Sequence, residues 1–261
     1  MTKDKLTITL IILNIILALS LGVLLHYHGL SPGNPAGVAP VVHSQEPDPA
    51  HETVFPERPK RICLDPGHTV GGTGNGNIPF FGETESEIVW VMASMLEARL
   101  AELGYEVIKT RLSPYQEMTL SERSQIANNF AADLFLSLHC DLGGFSGYAF
   151  YVPDVPGRNE DKTGPPAGIR IRSREIAEQL DRAIQQVGPI VSRGVKSEEL
   201  TYAGGIQGAL TISIYAEVPI ATLELGFLDN EIDGPFLTSA AGKILWVETL
   251  AQAIHEVMSV N

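Results

Sequence analysis

The chain has 261 residues, 44% of them hydrophobic, which suffices for one substantial core with extensions or for two small domains. Its 31 acidic against 18 basic residues leave a net charge of −13, which argues against nucleic acid as a partner, because a phosphate backbone needs clustered Lys and Arg. No internal repeat or fibrous period is present.

From Leu6 to Leu25 no residue carries a charge. A helix of that length spans roughly 30 Å, the hydrocarbon thickness of a bilayer. A cleaved signal peptide has a shorter apolar region, of about 7 to 15 residues, followed by a small-x-small site. The nearest such site, Ala18-Leu19-Ser20, lies inside the run, so the expectation is an uncleaved transmembrane anchor at 1–25, with a signal peptide as the alternative. Lys3 and Lys5 precede the run and the next base is Arg58. The positive-inside rule then places the amino terminus in the cytoplasm and the rest outside it. Residues 26–59 are rich in Pro, Gly, Ala, Ser and acids, too poor in bulky apolar groups to offset ordering entropy, and read as a disordered tether. His26, His28, His43 and His51 fall in this stretch and are read as solvated.

The folded part is expected at 60–261. Ile62-Cys63-Leu64 is a short apolar run stopped by Asp65-Pro66-Gly67, a buried strand with His68 just past its end. Residues 69–82 are glycine-rich without a phosphate-loop spacing. Ile88, Val89, Met92, Leu96, Leu100 and Leu103 recur at helical spacing over 85–103, ahead of Gly104 as a stop. A strand follows over 105–110. Thr119 and Glu122 form a capping box that opens a helix to about Phe130. Strands are expected over 133–139 and 147–152, a polar loop over 153–166, a helix over 169–187, strands over 210–215 and 220–225, and a closing helix over 240–258. This alternation predicts a single three-layer α/β domain, its sheet mainly parallel or mixed and helices on both faces.

Three polar groups then stand at strand carboxyl ends: His68, His139 and Glu224. Glu85 opens the first helix. A parallel sheet would carry the strand-end residues to one rim, the usual place for ligands in open α/β sheets. Two imidazoles and a carboxylate match a catalytic zinc set, which leaves a fourth position for water. Each residue also has a plainer reading. Glu85 could complement a helix dipole, and His139 could be a hydrogen-bonded core residue. Glu224, within Leu223-Glu224-Leu225-Gly226-Phe227, is harder to explain without a reaction, since an unpaired carboxylate there is costly.

The motifs LDPGH at 64–68, TESEIV at 84–89, KTR at 109–111, LSERSQIANNFAADLFLSLHCD at 120–141, RGVK at 193–196 and LELGFLDN at 223–230 are in the order found in one family. In these the chain resembles the zinc-dependent N-acetylmuramoyl-L-alanine amidases of the amidase-3 family over nearly all of 61–257. The resemblance implies one Zn2+ held by His68, Glu85 and His139, with Glu224 as acid/base, and favours Glu85 over its neighbour Glu83 as ligand. It implies hydrolysis of the amide between the muramic acid lactyl group and L-alanine, with peptidoglycan as substrate. Asp65 is assigned to orienting His68, and Arg193 to an anionic substrate group or to holding a loop. Family members usually have glycine directly after the first histidine, where this chain has Thr69-Val70, and Ala-Asn after the second, where it has Cys140-Asp141. These departures bear on the shape of the pocket. Residues 154–166 are too short and too rich in Pro and Gly for the inhibitory helix of some relatives. An activating protein partner is left open. The rival readings are a zinc peptidase or carboxypeptidase on cell-wall peptides and a non-catalytic wall-binding domain. Cys63 and Cys140 are expected as buried free thiols, a disulfide being the alternative in an exported protein.

Overall fold

The computed structural model describes residues 58–72 and 75–259. The expected anchor, and all but the last two residues of the expected tether, lie outside the described residues. Among the described residues no helix is long and apolar enough to cross a membrane.

The first half contributes β1 (Arg61–Pro66), a short hairpin of β2 (Pro79–Phe80) and β3 (Glu83–Thr84), α1 (Glu85–Glu102), β4 (Glu106–Lys109), α2 (Leu120–Phe130) and β5 (Leu134–Asp141). Then come β6 (Tyr148–Val152), a second hairpin of β7 (Gly157–Asn159) and β8 (Lys162–Gly164), α3 (Ala167–Val187) and β9 (Ser192–Ser197). The last part holds α4 (Tyr202–Gln207), α5 (Thr211–Ile214), β10 (Ile220–Phe227), α6 (Asp233–Thr238) and α7 (Ala240–Met258).

Six strands form one sheet in the order β4-β1-β5-β10-β6-β9. The first four are mutually parallel, β6 runs antiparallel to β10, and β9 is parallel to β6. The central strands are apolar on both faces because both faces are covered. Ile62, Leu64, Leu136, Leu138, Leu223 and Leu225 pack with α1, α3 and α7 on one side. Cys63, Phe135 and Ile220 pack with Ala127 of α2 and Ile212 of α5 on the other. Truncating one of these Leu residues to Ala would cost about 2–5 kcal/mol. The second layer is thin, and beyond it the carboxyl ends of β1, β5 and β10 are left open on that face.

Local chemistry sets the helix starts. Thr84 caps α1 and Thr119 caps α2, each in a reciprocal capping box, with Glu87 and Glu122 respectively. Helix α2 ends on Ala131 in the left-handed region. The register of β10 slips between Glu224 and Phe227, and the groups this frees are satisfied by neighbours. Trp246 Nε1–H donates to Leu225 O (3.1 Å), and Phe227 N–H donates to Asp233 Oδ2 (3.2 Å).

Several sequence expectations change. The strand expected at 210–215 is the short helix α5, begun by Leu210; four apolar residues cannot tell helix from strand by period. Strands β5 and β10 run past His139 and Glu224 to Asp141 and Phe227, so those residues lie two and three positions inside the strand ends. Strand β9 is an edge strand of polar composition, without the apolar alternation that would have signalled it. The expected loop at 153–166 contains the β7–β8 hairpin and, as expected, no helix. Cys63 and Cys140 are both free thiols. They belong to the cores on opposite faces of the sheet, which explains why they do not pair.

Candidate functional site

Parallel pairing of β1, β5 and β10 sets two cross-strand rows of side chains one above the other. Asp65 faces Ser137 across β1 and β5, Ser137 faces Thr222 across β5 and β10, and His139 faces Glu224. Register partners share a face and side chains alternate along a strand, so all five project from the thinly covered side. Glu85 reaches the same point from the first turn of α1.

The three residues expected as ligands converge. His68 Nε2 lies 3.1 Å from Glu85 Oε2, and His139 Nδ1 lies 3.0 Å from Glu85 Oε1. The two rings stand edge to face with centroids 5.0 Å apart. One donor atom from each residue lies within 4.8 Å of the other two. Glu85 Oε1 also accepts the Cys140 N–H at 3.0 Å, which aims the carboxylate. Burial works to raise Glu85, but hydrogen bonds from His139 and His68 outweigh it and hold the carboxyl down to about 2. For His139 burial favours the neutral ring, yet the hydrogen bond and charge of Glu85, helped by Glu224 and Asp65, lift it to about 9. Two imidazoles bridged by one buried carboxylate are a donor set that fits zinc, with two nitrogens and one oxygen. Glu83, the rival, turns instead to Lys243 of α7.

Glu224 stands beside His139. Burial, opposed by His139 and reinforced by Glu85 and Asp141, pushes its carboxyl up to about 8. Among the described residues its Oε2 is buried without a hydrogen-bond partner, as is Thr222 Oγ1. Both line a cleft of about 460 Å³ with His68, His139, Leu120, Tyr151, Tyr202 and Ile212 among its walls. A second cleft, of about 440 Å³ and lined by Thr69, Gly72, Glu117, Thr119 and Glu122, meets the first at His68 and Arg123.

The loop that carries His68 is braced from below. His68 has a φ of 54°, a conformation uncommon for a residue with a side chain. Arg123 donates to Pro66 O (3.1 Å) and His68 O (2.9 Å), and Arg111 donates to Pro66 O at 2.8 Å. Asp65 accepts from Thr110 (2.6 Å), Ser137 (2.7 Å) and Arg123 (3.1 Å). Its hydrogen bonds therefore reach His68 through Arg123 and the backbone, and not through the imidazole. Asn77 ties the turn beyond the histidine, donating to Thr69 O and accepting from the Gly71 N–H, both at 2.9 Å. Arg193 lies to one side, its guanidinium 4.9 Å from the Phe145 ring centroid and 5.0 Å from that of Phe227, and donates to Ser146 O at 3.4 Å. These contacts join it to the 143–147 loop.

Sequence reasoning missed four contributors. Arg111 and Arg123 were read only as parts of a motif, yet both are buried under the histidine loop. A Cβ on Gly67 would come within 2.4 Å of the His139 ring, and one on Gly76 within 2.3 Å of the His68 ring. These glycines are the contact surfaces of the two imidazoles. Neither glycine has the positive φ of a required turn glycine, so only the packing reveals their role.

The layered sheet, the His-Glu-His cluster and the facing carboxyl group are the features of a hydrolytic enzyme built on a mixed α/β sheet. The sequence pattern of the amidase-3 family, described as N-acetylmuramoyl-L-alanine amidase, matches residues 62–256, and the chain belongs to that family. The chain is similar to the N-acetylmuramoyl-L-alanine amidase Rv3717 of Mycobacterium tuberculosis, 25% identical over 242 residues that cover 84% of this chain and 92% of that protein. It is also similar to the sporulation-specific N-acetylmuramoyl-L-alanine amidase of Bacillus subtilis, 36% identical over 101 residues, 36% of this chain and 37% of that one. Among solved structures, N-acetylmuramoyl-L-alanine amidase AmiC2 of Nostoc punctiforme shares the fold, with a TM-score of 0.61 at 20% identity, over 77% of this chain and 97% of that one.

Proposed function

We propose that this protein is a zinc-dependent peptidoglycan hydrolase that cleaves the amide between the muramic acid lactyl group and the L-alanine of the stem peptide. The carrying observation is the convergence of His68, Glu85 and His139 within 4.8 Å, with the partnerless Glu224 Oε2 in the same cleft. Zinc held by those three residues would supply Lewis acidity towards the amide carbonyl and the attacking water.

The chain's own groups do the rest. Glu224 takes a proton from the attacking water at Oε2 and delivers it to the departing alanine nitrogen. A carboxyl whose affinity for protons lies near neutrality can do both, and such transfer contributes about 10² to 10⁴ in rate. Among the described residues no hydrogen bond competes for Glu224 Oε2, which leaves it free to act. Arg123 and Arg111 hold the His68 loop, with Asp65 balancing their charge, so that the imidazole is in position before substrate arrives.

The apolar run 6–25 and the basic residues before it support an uncleaved anchor that leaves the catalytic domain outside the cytoplasm, tethered near the wall. An activating protein partner is compatible with this arrangement. Mass spectrometry of products from intact peptidoglycan tests the reaction. Free stem peptides beginning with alanine are expected, none with a chelator present and few from Glu224→Gln. Loss of a single terminal amino acid would instead make the protein a peptidase, and no product from any muropeptide would leave it a wall-binding domain.

A further inference from the structure

Strand β6 pairs with β10 on one side and β9 on the other, and this fixes one cross-sheet row: Thr222, Tyr151, Lys196. Thr222 and Tyr151 line the cleft that holds Glu224. Register partners share a face, so Lys196 rises from the same side of the sheet. At about 4.8 Å between strands, its Cα is roughly 10 Å from that of Thr222. Its ammonium lies 5.5 Å from the centroid of the ring of Tyr151, a residue of the cleft wall.

Lys196 is half-buried, yet among the described residues its ammonium makes no hydrogen bond or ion pair. The acid that acts on it is Asp141, which lies beyond ion-pair distance and whose Oδ1 is engaged by the Leu142 N–H at 2.8 Å. Arg193 adds a second positive charge on the same strand and is locked between Phe145 and Phe227. In a chain of net charge −13, two neighbouring cations that share the influence of Asp141 yet form no ion pair among the described residues are out of character.

We propose that Lys196, with the field of Arg193 behind it, is a specificity-determining residue that binds a carboxylate of the stem peptide on the Tyr151 side of the cleft. The inference rests on the amidase reading above for its choice of substrate. An extended peptide advances about 3.3–3.6 Å per residue, so a carboxylate one or two residues beyond the scissile amide reaches from Glu224 towards Lys196. The Tyr151 ring would form the floor on which that residue lies.

The test uses the full chain carrying Glu224→Gln, with two muramyl dipeptides that differ only in bearing free carboxylates or carboxamides on the second amino acid. Titration should show about tenfold tighter binding of the carboxylate form, the size of one charge-assisted contact. Adding Lys196→Gln should collapse that preference to about onefold, whereas Lys196→Arg should keep most of it. A parent without preference, a preference that survives Lys196→Gln, or a folded Lys196→Arg that loses it would each overturn the proposal. The reaction is read separately, as stem-peptide release by the wild-type chain. Failure there would remove the amidase reading, while the binding comparison would still decide whether Lys196 recognises a carboxylate.

Discussion

The sharpest consequence of the structure concerns Asp65→Asn, a change that keeps shape and removes one charge. Asp65 is 1% exposed and accepts hydrogen bonds from Thr110, Ser137 and Arg123. Around it Arg111 is 0% and Arg123 4% exposed. Burial, then repulsion from Arg123, presses Arg111 down to about 10, and Asp65 is the opposing attraction. With asparagine the cluster keeps two buried cations and loses the anion paired with Arg123. Breaking a buried pair by removing one partner costs about 3–5 kcal/mol, and since Arg123 retains its carbonyl partners the lower end, about 3 kcal/mol, applies. For a domain of this size, about 2–4 °C per kcal/mol gives a fall in Tm of roughly 6–12 °C. Circular dichroism melts at pH 7 would read it. The companion Arg123→Met and the double variant complete a cycle, in which a coupling of about 2 kcal/mol is expected for such a close pair. Zinc affinity should fall too, because Arg123 positions the His68 carbonyl. If Asp65→Asn melts within experimental error of wild type, or the cycle closes without coupling, the bracing role assigned to this cluster is wrong.

Gly76→Ala should lower zinc affinity by at least tenfold, measured by competition with a chelating dye, because its Cβ would meet the His68 ring at 2.3 Å; unchanged affinity would mean that the ring does not rest there. Glu198 is fully buried, accepts from Ser213 Oγ (2.6 Å) and Leu210 N–H (2.8 Å), and is pushed by burial from its ordinary 4.5 up to about 7. Its folded state therefore binds the proton more tightly than the unfolded one. That contribution is complete below about pH 4.5 and is lost as pH rises through about 7, a change of about 3 kcal/mol. Glu198→Gln should flatten this part of the stability profile and exceed wild type at pH 8; a parallel profile would refute the assignment. Both cysteines should resist alkylation in the native protein and react after denaturation without reductant, since they are buried free thiols and burial pushes both pKa values up. Two thiols reacting in the native state would contradict their placement.

Where a segment's fate is set by its immediate neighbours, the chain could be read directly. Residues 62–64 and 134–136 are continuous apolar runs, and 220–225 is broken only by Thr222 and Glu224, because β1, β5 and β10 are covered on both faces, and the Thr119–Glu122 capping box marks the start of α2. His68, His139 and Glu224 could be singled out because a polar group closing or interrupting such a run demands a reason, whereas Glu85, at a helix start, stood out only through the family motif. The strand at 192–197 escaped notice because edge strands need no alternation, and 210–215 misled because a short apolar run has no period. Tertiary structure alone decided the rest. Asp65 bonding to Arg123, Gly67 lying under the His139 ring and Lys196 standing in a row with Tyr151 depend on strand register and on distances between residues far apart in the chain. Composition and spacing name the groups capable of chemistry, but only the packed sheet determines which of them touch, because contact energies fall away within a few ångströms while the residues concerned are tens of positions apart.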